Sequence, residues 1–427
     1  MRYRWTHIAA SLVLAGVLAG PAAAQSPEPL ATGGAGVGAR ALALGEAYQA
    51  LGGDFHSLYY NPAVLGVARR VRVDGSLTHR SSTVRTRYFG GPSSADLTST
   101  GLDALGVVYP IPTRQGSLVF ALGAYRVRDL DSRYKVEGYN TSDDPDLGES
   151  WIWARDADRG AVYGYGAGVS VELAQGFYLG GSLQATAGTN EYQYLLEATD
   201  TEDVWTPYDG HDWDDGIEYS YRGTGLRMTL GGLWRPIQAF SVGASVRLPH
   251  SVEITEHWYQ SEVLYYDDGT SDLTQDESGV FSYKLLLPYE FELGAAVSLG
   301  GVTLTGGGRY VDYGQAEYSE PPYDGFPVDY FVDNYEPLWT WGGGAEMALP
   351  GSFIVRGGYQ WAPLLFRPAG VDVPRDREHY TLGVGLPIDP AVSLDLTYVQ
   401  TRWETLSGTT SERYESGRFV VSFGYRF

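Results

Sequence analysis

The sequence has no cysteine, only two lysines (Lys135 and Lys284), and few bases, 30 against 52 acids. The missing cysteine excludes a disulfide scaffold. The formal net charge of −22 argues against a nucleic-acid surface, because such a surface needs cations to replace the counterions of phosphates. Aromatic residues make up 14% of the chain, which excludes a disordered protein. Tyrosine, tryptophan, glycine and acid in this abundance are typical of a membrane β-barrel with acidic loops.

The first 24 residues have the features of a secretory signal peptide. Arg2 and Arg4 precede an apolar run at 8–20, and Ala22 and Ala24 form an A-x-A cleavage site. This run is shorter than the about 20 residues that a spanning helix needs. We therefore predict a signal peptide over 1–24, and no later apolar run predicts a helical anchor.

From residue 71 onward, apolar and polar residues alternate with the period of two that is typical of β-strands. In the last segment, Phe419, Val421 and Phe423 share one face, and Arg418 and Ser422 share the other. One face suits lipid and the other a polar lumen. The pattern predicts an all-β fold, a fourteen-stranded antiparallel transmembrane β-barrel over 71–427. Its strands are predicted near 71–78, 102–110, 117–129, 161–173, 177–189, 223–234, 240–250, 282–299, 302–312, 338–349, 353–362, 379–386, 391–401 and 417–427.

The connections between these segments alternate between short turns and long loops. Most of the acids lie in the long ones, at 79–101, 130–160, 190–222, 251–281, 312–337, 363–378 and 402–416. Short turns at one end and long loops at the other are typical of outer-membrane barrels. The sequence therefore predicts an integral protein of the outer membrane with an acidic extracellular face.

The predicted lumen carries charges of both signs. They are Arg72, Arg227, Arg247, Arg309, Arg356, Arg418 and Arg426 among the bases, and Asp74, Glu172, Glu290, Glu292, Glu346 and Asp395 among the acids. A soluble β-sandwich, the alternative for alternating strands, would expose a uniformly solvated face. Mixed charges beside glycine, serine and threonine indicate pairing inside a narrow or plugged barrel.

Residues 25–70 do not alternate and are predicted to form an N-terminal hatch inside the lumen. Leu44, Tyr48 and Leu51 have helical spacing, but the segment is too short to fold alone. Its motif G-A-R-A-L-x-L-G-x-A-Y-x-A-L-x-x-D, followed by Y-Y-N-P-A-x-L, resembles the hatch of the long-chain fatty-acid transporter (FadL) family. The chain departs from the family pattern at Gly53 and Val64, and the motif covers about residues 33–66.

The resemblance implies passive uptake of a hydrophobic molecule across the outer membrane. In the family, the ligand lands among the extracellular loops, moves to a pocket above the hatch and leaves through a gap at a kinked third strand. The resemblance implies that Asn61, Pro62 and Ala63 hold the hatch against that strand near Gly123. Pro62 alone could equally form only a structural turn. The motif also contains two charged hatch residues, Arg40 and Asp54.

Aromatic residues are dense in the third and fourth predicted loops. Exposed aromatics usually mark a binding surface, so we predict a groove for a hydrophobic ligand there. The groove residues are Tyr192, Tyr194, Leu195, Trp205, Trp213, Trp258 and Tyr265. An aromatic girdle at the membrane interface is the alternative for some of them.

No cofactor or metal site is predicted. The six histidines of the mature chain lack paired helical spacing, and no G-x-S-x-G turn occurs, although barrel enzymes can assemble triads from distant strands. We expect the chain not to be an enzyme. The acidic clusters at 143–146, 212–215 and 267–268 lack the spacing of a calcium loop and indicate solvated loops or divalent-bridged contact with lipopolysaccharide.

Three functions fit the sequence. The first is an outer-membrane transporter of fatty acids or hydrocarbons. The second is a barrel shuttle of type IX secretion, whose acidic loops dock a cargo protein, and the third is a general diffusion porin. In each case the terminal Phe427, after Phe423 and Tyr425, resembles the signal read by the barrel-assembly machinery.

Overall fold

The computed structural model describes residues 36–142, 147–223, 226–321, 329–351, 353–364, 376–407 and 410–427. The predicted signal peptide, residues 25–35 and the acidic cluster at 143–146 lie outside the described residues. The strands are β1 (Arg72–Tyr88), β2 (Gly91–Ile111), β3 (Leu118–Asp129), β4 (Ser132–Asn140), β5 (Ser150–Ala174), β6 (Phe177–Thr199), β7 (Tyr208–Gly223), β8 (Arg227–Ile237), β9 (Phe240–Arg247), β10 (His250–Tyr266), β11 (Ser271–Leu287), β12 (Glu290–Leu299), β13 (Val302–Asp312), β14 (Glu317–Glu320), β15 (Pro337–Ala348), β16 (Ile354–Trp361), β17 (Glu378–Pro387), β18 (Val392–Ser407) and β19 (Thr410–Arg426).

These pieces form one closed antiparallel barrel of fourteen spans, as predicted. Closure is made by β1 with β19, for example Leu77 opposite Val421. Five spans consist of two pieces, namely β3 with β4, β7 with β8, β9 with β10, β11 with β12 and β13 with β14. The prediction of unbroken strands at 240–250 and 282–299 is wrong. Pro249 and Pro288 lie at these breaks, because proline cannot donate a ladder hydrogen bond.

The outer surface carries the apolar faces of the strands. Phe419 is 57% exposed and Phe423 is 45% exposed, whereas Val420 and Ser422 are buried on the inner face. This division is the one predicted for a lipid-facing wall. No helix in the described part of the chain is long and apolar enough to cross a membrane.

Several predicted long loops are extended hairpins instead. The regions 79–101, 190–222 and 251–281 consist mainly of strand, and β1 turns into β2 at Phe89 and Gly90. Crossing a bilayer takes about 9–11 residues of a strand. β5 has 25 residues, so the barrel continues beyond the membrane. Many outward residues of this extension are polar, such as Asp96 and Thr98, so apolar alternation was too weak there to indicate strands.

The described part of the N-terminal region, residues 36–70, lies inside the barrel. It contains two short helices, α1 (Ala39–Ala43) and α2 (Ser57–Tyr60), and a 3-10 helix at Pro62–Val67. The predicted helix through Leu44, Tyr48 and Leu51 is wrong, because α1 ends at Ala43 and irregular backbone follows. We call residues 36–70 the N-terminal segment. A third helix, α3 (Tyr330–Asn334), and a 3-10 turn at Tyr313–Gln315 follow β14 and β13 respectively.

Candidate functional site

Hydroxyl groups of the barrel wall satisfy the backbone of the N-terminal segment. Thr397, Thr381 and Thr305 donate to the carbonyls of Ala39, Ala43 and Ala47 at 2.6, 3.0 and 2.7 Å. Further donors are Ser241 to Ala50, Ser245 to Tyr60, Ser170 to Ala63 and Ser117 to Gly66. Buried carbonyls need such partners when no helix or sheet supplies them. The wall therefore supplies hydrogen bonds to a segment whose helices are too short to satisfy all of its own carbonyls.

Inward glycines let this segment approach the wall closely. A Cβ atom at Gly342 would lie 1.9 Å from the carbonyl oxygen of Gly45, and one at Gly180 would lie 2.4 Å from the backbone nitrogen of Ala63. Neither distance can accommodate a side chain. Close approach to the N-terminal segment thus accounts for many of the wall's glycines.

Asn61 fixes a turn of the segment to the wall. Its Nδ2 donates to the carbonyls of Gln49 and Gly232 at 2.8 and 3.0 Å, and its Oδ1 accepts from the Ala63 nitrogen at 3.0 Å. Pro62 is the first residue of the 3-10 helix. Gly232 belongs to β8, and Gly180, beside Ala63, belongs to β6. The prediction that Asn61, Pro62 and Ala63 face the third strand near Gly123 is therefore corrected to the β6 and β8 wall.

Gly123 faces the N-terminal segment through a different residue. A Cβ atom there would lie 2.6 Å from the Phe55 ring and 2.5 Å from Gly106 Cα. Gly123 is paired on both sides, with Gly106 of β2 and Gly166 of β5. It lies in the closed part of the wall, so the prediction of an opening at Gly123 itself is wrong.

The ladder between β2 and β3 ends two residues later, where Ala104 pairs with Tyr125. Beyond this point the chain continues into β4, which among the described residues pairs only with β5. The residues of β2 from Gly91 to Asp103 therefore have no strand paired to them on the side that faces β4. We call this boundary between β2 and the chain from Arg126 through β4 the seam. A bulge at Val127 in the pairing of β3 with β5 marks its lower end.

Side chains replace backbone pairing along the seam. The Leu102 carbonyl accepts from Tyr163 Oη at 3.2 Å and from Arg126 Nε at 3.4 Å. Higher up, Arg133 Nη1 donates to the Asp96 carbonyl at 3.2 Å, and Ser93 Oγ donates to the Lys135 carbonyl at 3.1 Å. Contacts of this kind can break without unpairing a strand, so the seam is held less firmly than the boundaries of the wall that are paired along their whole length.

Charged groups anchor the N-terminal segment from several sides. Arg40 pairs with Glu346 at 2.6 Å, and Arg356 bridges Glu346 and Asp395 at 3.0 and 2.6 Å. Asp54 accepts from Tyr48 Oη at 2.7 Å. Other internal pairs are Arg72 with Asp74, Arg227 with Glu290 and Arg247 with Glu290 and Glu292. The predicted internal pairing is confirmed for these residues, whereas Glu172 caps a turn at Gly176.

Asp103 was not predicted from the sequence, although it is fully buried. It accepts from the Gly38 nitrogen at 3.0 Å, from Ser76 Oγ at 3.1 Å and from Arg418 Nη2 at 2.8 Å. A β-bulge turns both Asp103 and Ala104 inward. Simple alternation would assign only one of two consecutive residues to the lumen, so it could not identify Asp103 as a luminal residue.

Apolar side chains fill the lumen above the N-terminal segment. One cluster surrounds the strand breaks and includes Ile254, Tyr283 and Leu285, with Phe331 of α3 packed against them. A second, nearer the extracellular end, contains Tyr88, Ile152 and Leu196. Luminal clusters of this kind offer an apolar environment to a hydrophobic ligand.

The predicted groove residues divide between these interior surfaces and the outside. Tyr194, Trp205 and Trp213 pack on the second cluster. Tyr192 and Trp258 also face inward by alternation, and Tyr192 Oη donates to Asp156 at 3.2 Å. Leu195 and Tyr265 point outward, and Tyr265 donates to Asp212. The predicted loop groove is therefore corrected to a luminal surface, because these aromatics lie mainly on strands.

Glu412 is buried at the extracellular end of β19, and burial raises the pKa of its carboxyl to about 7. Because the folded state binds this proton more tightly than the unfolded state does, protonation of Glu412 stabilises the fold. The stabilisation grows as the pH falls from above 7 toward the pKa of an ordinary glutamate. We expect backbone amides of β19 near Glu412 to exchange hydrogen more slowly at pH 6 than at pH 8, after correction for intrinsic rates. Glu412→Gln should abolish this difference, and a difference that persists in the variant would contradict the assignment.

No three histidine, cysteine or carboxylate side chains in the described ranges are placed to hold a metal ion. In the cluster at 212–215, Asp212 and Asp214 accept hydrogen bonds from Tyr265 and Tyr259 instead.

Phe427, the last residue, remains exposed beside the first strand, where its nitrogen donates to the Val71 carbonyl at 3.0 Å.

No protein-family model and no curated protein sequence matches the chain. Several solved structures match it in fold. The Pseudomonas putida toluene transporter TodX is 14% identical with a TM-score of 0.65, over 92% of this chain and 99% of TodX. The Ralstonia pickettii toluene transporter TbuX is 15% identical with a TM-score of 0.62, over 92% and 98%. A Pseudomonas aeruginosa FadL homologue is 14% identical with a TM-score of 0.61, over 90% and 96%.

At this identity the comparison concerns the fold, which covers nearly the whole length of each chain. The chain therefore has the fold of the FadL-type outer-membrane barrels, as its N-terminal motif predicted.

Proposed function

We propose that this protein conducts hydrophobic small molecules, hydrocarbons or long-chain fatty acids, passively across the outer membrane. The observation that carries the proposal is the seam, a wall boundary held by side chains directly above a lumen blocked by the N-terminal segment. An apolar solute would leave sideways there and avoid the water below. The solved structures of similar fold include proteins described as toluene transporters, which supports the same class of solute.

The proposed path has three steps. The solute leaves water for the apolar luminal clusters around Leu196 and Ile254, driven by desolvation. The N-terminal segment acts as the hatch, held by Asn61, Arg40 and Asp103, and stops it from moving along the axis. Separation of Tyr163 and Arg126 from the Leu102 carbonyl then opens the seam toward the bilayer. No cofactor takes part.

The test is uptake of radiolabelled toluene and oleate by cells that lack their own transporters. Cells with the protein should accumulate at least one of the two several-fold faster than cells with the empty vector. Heat-modifiable gel mobility should show that the expressed protein is a folded barrel. Uptake equal to the empty vector for both solutes would overturn the proposal.

Two features of the structure disfavour the porin and the shuttle hypotheses. A general porin needs a water-filled lumen, whereas the inner face here packs on the N-terminal segment through Gly342 and Gly180. A shuttle needs acidic docking loops, yet much of the predicted loop sequence forms extended strands.

A further inference from the structure

Four carboxyl groups line the inner wall between the two apolar clusters of the lumen. They are Asp156 and Asp158 of β5, Asp215 of β7 and Glu256 of β10, and we call them the acidic belt. Neighbouring strands hold them side by side, since Asp156 is opposite Tyr194 of β6, and Tyr194 is opposite Asp215. Along β5 the belt lies between Ala154 of the second cluster and Val162 of the first. A solute on the proposed path must therefore pass it.

The acidic belt lies above the membrane. On the outer face of the same strands, Arg159, Glu191 and Glu218 are exposed and form one row at its level. Charged side chains destabilise a wall that faces lipid. The belt therefore belongs to the extracellular extension of the barrel.

No cation partners the acidic belt in the part of the chain that the structure describes. Luminal acids elsewhere pair with arginine, as Glu290 does with Arg247, but none of the described ion pairs includes a belt residue. Water does not replace the cation, because only Asp215 of the four is partly exposed. Burial raises the pKa of Asp158, Asp215 and Glu256 to about 7. Uncompensated buried carboxylates destabilise the fold, and a bound cation would offset this cost.

Polar atoms without a hydrogen-bond partner among the described residues lie on the same inner face. Asp156 Oδ2 accepts from Tyr192, but its Oδ1 accepts from no group, although the residue is only 1% exposed. Asn190 is 3% exposed; its Nδ2 donates to Asp158 at 2.6 Å, and its Oδ1 is unpartnered. The hydroxyl of Tyr221, 2% exposed, is unpartnered as well. Such atoms are rare in folded proteins, and here they indicate a missing group with several hydrogen-bond donors.

The surroundings favour an organic cation over a metal ion. No three carboxylates of the described ranges are placed to hold a metal ion. Aromatic rings flank the carboxyls instead. Tyr194 lies between two of them in the pairing of the strands, and Tyr219 is opposite Glu256. The ring of Tyr219 also stacks on that of Tyr221, with the centroids 6.0 Å apart. Aromatic faces attract organic cations, and an ammonium group donates up to three hydrogen bonds.

We propose that the acidic belt binds the ammonium group of a hydrophobic amine, with the apolar part of the amine in an adjoining luminal cluster. The ammonium group donates to the unpartnered oxygens of Asp156 and Asn190 and neutralises the belt. A hydrocarbon of the same shape leaves both oxygens unsatisfied and binds more weakly. The site adds amines to the solutes of the proposed path. Their passage rests on the proposed function, whereas their binding does not.

The experiment measures saturable binding of radiolabelled phenethylamine to the barrel in lipid nanodiscs, with binding to empty nanodiscs subtracted. Asp156→Asn/Asp215→Asn removes two charges of the belt and should weaken binding about tenfold or more, as the loss of a buried charge partner does. Asp212→Asn/Asp214→Asn is the matched control, because it removes the same charge from the outer face of β7. The control should bind the amine as tightly as wild type. If the belt variant does not fold, Asp215→Asn alone replaces it.

Propylbenzene, which has a similar apolar part and no charge, should not displace the amine at equal concentration. Equal affinity of the belt variant and the control variant would overturn the proposal. So would displacement by propylbenzene, which would assign the binding to the apolar clusters alone, or complete displacement by millimolar calcium, which would indicate a metal site. Toluene uptake measured in parallel tests only the proposed function: wild type that binds the amine but takes up no toluene would leave the site supported.

Discussion

Asp103→Ala should convert the closed barrel into an ion-conducting one. The substitution removes the acceptor of the Gly38 nitrogen and leaves Arg418, whose side chain is 12% exposed, without its carboxylate. Breaking a buried ion pair from one side costs roughly 3–5 kcal/mol. That ion pair joins β2 to β19 and its loss loosens the wall beside the segment. The lost hydrogen bond joins Gly38 to the wall, and an unsatisfied buried nitrogen costs about 1–3 kcal/mol, so the segment should leave its place for part of the time. In planar bilayers we expect frequent conducting openings, several-fold more than in wild type.

The control for this prediction is Asp395→Ala. Asp395 is also a luminal acid in an ion pair, but its partner Arg356 keeps Glu346, and neither contacts Gly38. It should open the barrel much less often. Asp103→Asn, which keeps an acceptor oxygen, should be intermediate. Conductance as low in Asp103→Ala as in wild type, with a folded barrel in both, would show that the segment is not held through Asp103.

A disulfide across the extracellular end of the seam should slow uptake of hydrophobic solutes. A Cβ atom at Gly91 would lie 3.0 Å from Gly138 Cα, and one at Gly138 would lie 3.6 Å from Gly91 Cα. The two glycines are therefore neighbours across the seam. Their built Cβ atoms also lie 2.5 Å from the Glu137 carbonyl oxygen and 2.7 Å from the Tyr88 carbonyl oxygen, so the strand ends must shift before a disulfide of ordinary geometry forms. The chain has no other cysteine, so Gly91→Cys/Gly138→Cys can form only this bond. Because the bond ties the upper end of β2 while the proposed exit lies at Leu102, oxidised cells should take up labelled solute more slowly than reduced cells, but faster than cells with the empty vector.

Reduction provides the control within the same protein. Dithiothreitol should restore uptake of the double variant to the level of the single variants Gly91→Cys and Gly138→Cys. The single variants also report whether the new side chains disturb the strand ends. Uptake that is unaffected by oxidation, with the disulfide demonstrated by mass spectrometry, would mean that the extracellular end of the seam does not move when solutes leave.

The sequence was sufficient for the barrel because its signal is local. Alternation along 417–427 and 282–299 distinguishes a lipid face from a luminal face, and fourteen such segments followed. It was insufficient where polarity no longer differs between faces, as in the extension of β1 and β2 beyond the membrane. It also missed the breaks at Pro249 and Pro288, although proline is a direct signal against a continuous central strand.

The candidate site was predicted less well, because it depends on contacts distant in sequence. The motif around Asn61 indicated a contact with the wall but placed it at the third strand, and it could not show that the Gly232 carbonyl of β8 would accept the side-chain hydrogen bond. Asp103 became luminal through a bulge, which alternation does not detect. The seam depends on Tyr163 reaching across to Leu102, a contact between residues 61 positions apart. The spacing of residues within a single segment carries no signal for such a contact.

Hydrophobic molecules should cross this protein while ions should not. This is tested most directly in proteoliposomes of the wild-type protein, by measuring influx of radiolabelled toluene or oleate into an internal trap together with ion conductance of the same preparation. We predict solute influx well above that of protein-free vesicles, with conductance near that of the bare bilayer. A steady ohmic conductance typical of an open pore, or no excess influx of either solute, would contradict the account.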